Sequence, residues 1–367
     1  MPGTYWTLQR LGMLEKMKAG HFPKKYSVQF YLKTGKASAP FYFFENDPHE
    51  SSVTWQVLRS EFDQMLFENA LEKGANGFQG VTVADALFEG DQAVGVAALF
   101  PDGSRQTFHS KVVVDASGQN ALISRKLKIS DPEPRLKKAA VYSHFEGALR
   151  DSGIDEGATL VVHTRNEDSW FWYIPLPDNR VSVGAVGSLD YLIQNRSGEP
   201  QQVLEEEIEL SDEIKRRISG ARQLFPVKVT KEFSYRARKI AGNGWVLVGD
   251  AFGFLDPIYS SGVMLAFKSA EMAADAIHDA LVRSDFSAER LGRFGNEFVA
   301  GMEAVRKLVY AFYTREFSFA QFLKKFPHCR QSVINILVGD VFRKRVDGLF
   351  GPLSQMCPLP ENKKLEP

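Results

Sequence analysis

Cysteine is nearly absent: Cys329 and Cys357 are the two among 367 residues. Two thiols make neither a disulfide framework nor a four-thiolate zinc site, and their scarcity points to a reducing, cytoplasmic setting. Long apolar runs are missing as well, none reaching the ~20 residues a helix needs to cross a bilayer. The opening MPGTYWTLQRLG lacks the charged-then-apolar layout of a secretory signal. Neither charge is in excess: 45 basic residues meet 45 acidic ones, for a formal net charge of +0, which argues against nucleic acid or a polybasic membrane contact. No H-E-x-x-H, paired C-x-x-C, G-x-x-x-x-G-K-[ST] or G-x-S-x-G motif occurs, so zincin, P-loop and serine-hydrolase chemistry fall away. The 7 histidines are scattered, and no metal site is expected.

What is present is apolar and aromatic. Hydrophobic residues make up 44% of the chain and aromatic ones 12%, with 28 phenylalanines. That suits an aromatic-lined pocket, and a large mixed core explains it equally well. The length suggests about two domains. Periodicity predicts an amphipathic helix over 4–18, strands over 26–32 and 41–44, and a helix over 60–73 closed by Gly74. Three strands follow, over 81–88, 94–100 and 105–109, separated by Glu89-Gly90-Asp91 and Pro101-Asp102-Gly103. Residues 111–115 read as a buried strand, 138–235 as an antiparallel sheet with one helix over 201–219, and the chain beyond 286 as helical. The tail 358–367, rich in Pro, Glu and Lys, reads as disordered.

The most informative segment is Gly249-Asp250-Ala251-Phe252-Gly253-Phe254-Leu255-Asp256-Pro257-Ile258-Tyr259-Ser260-Ser261-Gly262. It links an apolar strand, 245–248, to a helix over 263–282. Glycines let a backbone approach a flat or phosphorylated ligand closely. The Asp250 carboxylate accepts hydrogen bonds from sugar-like hydroxyls, and a helix start offers unpaired N–H groups to an anion.

This segment resembles the second flavin fingerprint of FAD-dependent monooxygenases of the p-hydroxybenzoate hydroxylase type, and within them the flavin-dependent halogenases. The resemblance implies an α/β (α+β) fold: a Rossmann-like FAD domain from 1–20, 50–125 and 240–285, interleaved with a substrate sheet from 21–48 and 136–238, then a helical region over 286–357. It implies that Asp250 binds the ribityl chain with Gly249 beneath it, and that Gly253, Pro257 and Gly262 shape the loop around the flavin. Arg59, in Gln56-Val57-Leu58-Arg59-Ser60-Glu61-Phe62-Asp63, resembles the family's arginine beside the cofactor phosphates. Val114-Asp115-Ala116-Ser117-Gly118 is similar to the strand under the adenine, giving Asp115 and Gly118 as cofactor residues. That segment differs from the longer motif of hydroxylases that bind NADPH, which favours reduced FAD delivered by a separate flavin reductase.

Trp170-Phe171-Trp172-Tyr173-Ile174-Pro175 resembles the halogenase Trp-x-Trp-x-Ile-Pro signature. On a strand the two indoles share one face, and in the family they screen flavin from substrate. The N–H groups near Ser261 and Gly262 would hold chloride or bromide. Lys25, in Phe22-Pro23-Lys24-Lys25-Tyr26, resembles the lysine that carries or polarises hypohalous acid; Lys24, on the opposite strand face, is its rival. Tyr259 stands where tryptophan halogenases carry a glutamate, which moves the substrate towards phenols or pyrroles, free or carrier-bound. The family also opens with a G-x-G-x-x-G turn. None occurs here, so the FAD domain is expected to be truncated at its N-terminus and to hold FAD weakly. Two alternatives stay open: a flavin hydroxylase or geranylgeranyl-reductase-like oxidoreductase without halide, and a non-catalytic paralogue binding an aromatic ligand or partner.

Overall fold

The computed structural model describes residues 1–231 and 234–366; residues 232, 233 and 367, inside the expected sheet span 136–238 and tail 358–367, lie outside the described residues. Its centre is an eight-stranded sheet. Strands Lys138–Glu146, Arg180–Ser188, Ser169–Leu176 and Thr159–His163 run side by side and antiparallel, in that order. Beyond them Ser27–Tyr31 pairs with Thr159–His163 in parallel, and Phe41–Tyr42 closes that edge.

Strand alternation sorts the side chains of Ser169–Leu176 onto two cores. Trp170 and Trp172 face one that is covered by the helices Gly262–Arg283 and Gly295–Phe312. Phe171 and Tyr173 face the other, covered by Pro200–Glu209 and Asp212–Ile218. The helix expected over 201–219 is thus two helices. Ser211 breaks it: its side chain accepts from the Ile214 N–H and caps the second one. The N-terminal helix over 4–18 is likewise two, Tyr5–Arg10 and Leu14–Ala19, because Gly12 between them takes φ +73°. The strand over 41–44 stops at Tyr42, and Phe43–Glu45 turns into a short 3-10 segment that buries Phe43.

Among the described residues, three three-stranded sheets and a two-stranded one, Lys24–Lys25 with Thr54–Trp55, surround this centre. Thr82–Glu89, Gln92–Leu99 and Arg105–His109 form the expected meander. Val113–Asp115 runs parallel to Trp245–Leu247, which delivers the chain to the fingerprint turn. Tyr235–Ala237 pairs with both Gly253–Phe254 and Ser130–Pro132.

The helix Gly262–Arg283 presents Ser269, Ala273, Ala276 and Ala280 inward, small residues that let it lie close to the sheet beneath. The tail carries no regular element, yet it is tied down. Arg236 donates to the carbonyls of Lys363 (2.8 Å) and Lys364 (2.9 Å), Arg306 to that of Glu361, and the Glu366 N–H donates to Arg238 O. Buried guanidiniums need acceptors, and these carbonyls supply them, which a reading from composition misses. No described helix is long and apolar enough to cross a membrane.

Candidate active site

The fingerprint turn is built by backbone constraints. Gly249 takes φ +56°, donates its N–H to Ser269 Oγ at 2.8 Å, and lies where a β-carbon would stand 3.2 Å from that of Ala266. Both the left-handed backbone and the close helix select glycine. Next to it the Asp250 carbonyl accepts from Tyr235 Oη at 2.6 Å. The Asp250 carboxylate is half-buried, and no hydrogen-bond donor among the described residues reaches it. Burial pushes its pKa up, and Arg59 nearby partly opposes that. An under-partnered carboxylate at a strand-to-helix turn is a receptor for hydroxyl groups. Gly118, at φ +62°, faces open space where a ligand edge could approach.

Other expected cofactor residues are engaged differently. Asp115 is buried, and its carboxylate accepts from the Ser117 N–H at 3.0 Å and the Ile123 N–H at 2.7 Å, holding its own loop. Arg59 folds back along its helix, Arg59–Glu72, onto Asp63 with two contacts of 2.8 Å. Gly253 admits the neighbouring strand: an added β-carbon would stand 2.8 Å from Tyr235 O. Pro257 opens a turn in which its carbonyl accepts from the Ser260 N–H, with Ser260 at φ +54°. Ser261 is buried at the start of the 22-residue helix, leaves its side chain out of any cap, and presents the free N–H groups of Gly262 and its successors.

Lys25 is 5% exposed and Lys24 is exposed, so the strand alternation selects between them. Lys25 sits in a two-residue strand opposite Thr54. No carboxylate pairs with it among the described residues, and burial brings its pKa down to about 8. Its ammonium lies 6.0 Å from the Phe43 ring centroid. Phe43 lines a small recess together with Phe30, Phe41, Ile258, Tyr259 and Ser260. The recess therefore joins the neighbourhood of Lys25 to the loop that ends at Gly262.

The indoles border the same region through the sheet. Phe30, Val161, Trp172, Gly184 and Tyr142 form one row across five strands. Trp172 donates to Ser182 Oγ at 3.0 Å and lies 5.7 Å from the Tyr142 ring. Trp170 lies 6.4 Å from Trp172 and 6.2 Å from Phe312, which is itself 6.3 Å from Tyr259. The Trp170 N–H donates to Tyr313 Oη at 3.1 Å, and that hydroxyl reaches both oxygens of Asp256, at 3.2 and 3.1 Å. Burial pushes Asp256 up to about 7, against the pull of the Ile258 N–H, Tyr313 and Lys138. Neither Asp256 nor Tyr313 was legible as a site residue: Asp256 belongs to the fingerprint, but its partner is 57 positions away.

Away from this region, His21, Glu61 and Asp178 approach one another within 4.8 Å, with His21 and Asp178 exposed and His21 paired to Glu61 at 3.1 Å.

A half-buried carboxylate that no donor among the described residues reaches, at a strand-to-helix turn packed against the Gly118–Asn120 turn, fits the hydroxyl-bearing chain of FAD, the cofactor of an FAD-dependent oxidoreductase. Comparison with known proteins narrows the class. The tryptophan halogenase family model matches residues 4–332, and the chain belongs to that family. It is 32% identical over 338 residues to the 1H-pyrrole-2-carbonyl-[peptidyl-carrier protein] brominase of Pseudoalteromonas luteoviolacea, covering 91% of this chain and 80% of that one. It is 28% identical over 373 residues to the corresponding chlorinase of Pseudomonas fluorescens, covering 95% and 82%. The solved structure of a flavin-dependent brominase superposes with a TM-score of 0.84 at 27% identity, covering 97% of this chain and 87% of the other. The protein is a flavin-dependent, halogenase-like oxidoreductase.

Proposed function

We propose that this enzyme halogenates a neutral, electron-rich ring, a pyrrole or a phenol, presented on a carrier protein. The observation that carries the reading is Lys25: a buried amine with no carboxylate partner among the described residues, beside an aromatic recess shared with the Ser260 loop. Among the described residues, no charged side chain lines the recess. Tyr259 donates its hydroxyl to Leu308 O at 3.1 Å, and burial holds its pKa well above 10. No carboxylate among the described lining residues meets the ammonium of a free amino acid there, which disfavours free tryptophan. The carrier-bound pyrrole acids handled by the two bacterial relatives meet the requirement of a neutral ring.

Asp250, Gly249 and Gly118 would hold FAD, with Arg59 swinging from Asp63 towards its phosphates. Reduced FAD, brought by a separate flavin reductase, supplies the electrons that turn O2 and halide into hypohalous acid and water. The N–H groups at Ser261 and Gly262 hold the halide at a positive helix end. Lys25 donates a hydrogen bond to the oxygen of hypohalous acid. The ring carbon takes the halogen, the O–halogen bond breaks, oxygen leaves as water with the Lys25 proton, and the ring proton restores the ammonium. An amine titrating near 8 does both at neutral pH. Trp170 and Trp172 keep the substrate away from the flavin side, and two buried free cysteines suit a reducing cytoplasm.

The test supplies the full chain with reduced FAD, O2, bromide or chloride, and three substrates: a pyrrole-2-carbonyl carrier-protein thioester, a phenolic carrier thioester and free tryptophan. Halogenated thioester, lost in Lys25→Ala, is the expected outcome. Hydroxylated product with no halide dependence would overturn the proposal.

A further inference from the structure

Tyr313 follows the helix Gly295–Phe312 and belongs to none of the family-like segments. Its hydroxyl has one proton and two partners. Asp256 carries no proton to offer when ionised, so Tyr313 donates to Asp256 and accepts from the Trp170 indole. Below the tyrosine ring stands the ammonium of Lys138, 3.8 Å from its centroid, on the strand Lys138–Glu146. Phe312 packs edge-on at 5.2 Å. Three separate parts of the chain therefore meet at one oxygen atom: the loop ahead of the 22-residue helix, the indole strand and the end of the helix Gly295–Phe312. Asp256 and Trp170 are buried and Tyr313 is half-buried between them, where an unmade hydrogen bond is expensive.

We propose that Tyr313, held by Asp256 and Lys138, is a positioning residue that sets the angle of the Trp170 indole and ties it to the halide-side loop. The consequence rests on the function proposed above: with the indole held, the oxidising power of O2 passes to halide and on towards Lys25; with it loose, O2 and the two electrons of reduced FAD would end as hydrogen peroxide and halide would stay unoxidised. Tyr313 acts only through Trp170 and takes no part in bond making.

The five tryptophan side chains give five indole N–H signals in protein labelled with 15N-tryptophan, assigned by single Trp→Phe variants. Tyr313→Phe keeps the ring and removes the acceptor. The Trp170 signal should move upfield and exchange with solvent faster, while the Trp172 signal, bonded to Ser182, stays in place and reports an intact fold. Asp256→Asn keeps an oxygen acceptor for the tyrosine and should leave the Trp170 signal close to its original position; Asp256→Ala should not. In turnover with reduced FAD, bromide and the pyrrole-2-carbonyl carrier thioester, Tyr313→Phe should lower halogenated product per FAD oxidised about tenfold and raise hydrogen peroxide in step. An unmoved Trp170 signal in Tyr313→Phe overturns the proposal, and so does a moved signal with unchanged product per flavin. Wild-type protein that makes no halogenated product defeats the functional reading instead, and leaves the indole signals to decide this one.

Discussion

The indole of Trp172 occupies the space where Gly184 lacks a β-carbon: a methyl group there would stand 2.3 Å from the indole Cζ2. The two residues are direct cross-strand partners, so the ring lies flat across its neighbour towards Tyr142. A glycine in the middle of a buried strand weakens that strand, and here it is matched to the largest side chain in the register.

Gly184→Ala should therefore displace Trp172. The overpacking is expected to cost about 1–3 kcal/mol, read in urea unfolding, with a changed near-ultraviolet circular dichroism band. Halogenation should fall more than stability. An alanine variant with the parent's spectrum and activity would show that the indole's placement does not depend on this gap.

Lys25 gives a prediction in which stability and activity move in opposite directions. Its folded pKa, about 8, lies below the ordinary lysine value near 10.5. Between those values the unfolded chain holds a proton that the fold does not, so stability rises with pH across that window. Below about 8 the fold buries a charged amine at full cost. Lys25→Met should then be more stable than the parent at pH 7, by up to about 3 kcal/mol, with the gain fading to nothing above pH ~10.5. Product formation should vanish in the same variant. Equal stabilities at pH 7 would mean that the amine is not buried as a charge.

Asp256 titrates with the opposite consequence. Its pKa rises from 3.8 to about 7 on folding, mainly through burial. In that interval the fold retains a proton that the unfolded chain has lost, so stability present below pH ~4 declines as pH climbs through 7. Asp256→Asn removes the titration while keeping an acceptor. It should equal the parent near pH 4 and exceed it at pH 8, measured by thermal melts across that range.

Gly249→Ala tests the fingerprint turn. The left-handed backbone and the approach to Ala266 are each unfavourable for a side chain, and together should cost about 1–3 kcal/mol. FAD affinity, followed by flavin fluorescence quenching, should fall as the turn beside Asp250 shifts. Unaltered affinity would separate this turn from the cofactor.

Much of this was legible because the relevant signals are local. Gly90 and Gly103 take φ +62° and +84° in the turns that punctuate the meander, so its strands read correctly. The long helix reads correctly because its apolar and small residues recur over 22 positions and start at Gly262. The indole pair needs only the two-residue alternation of a strand. The failures share a physical origin in tertiary contact. Ser211 looks like any polar helix residue until its neighbours leave the Ile214 N–H for it to cap. The bonds of the Asp115 carboxylate to two backbone donors of its own loop are equally invisible in the sequence, and leave its expected place beside the cofactor untouched. The parallel pairing of Ser27–Tyr31 with Thr159–His163 joins segments about 130 residues apart. The Phe43 recess depends on that pairing, so no window of sequence contains it.

The clasp on residues 361–364 bears on how the protein can be handled. Arg236 and Arg306 sit in a nearly water-free niche with Glu303 and Glu133, and backbone oxygens from the last stretch of chain complete their coordination. Trimming that stretch would strand positively charged donors in oil-like surroundings and loosen the long helix from which Tyr313 emerges. An affinity tag joined directly behind it would strain the same fastening, whereas a flexible spacer would leave it undisturbed.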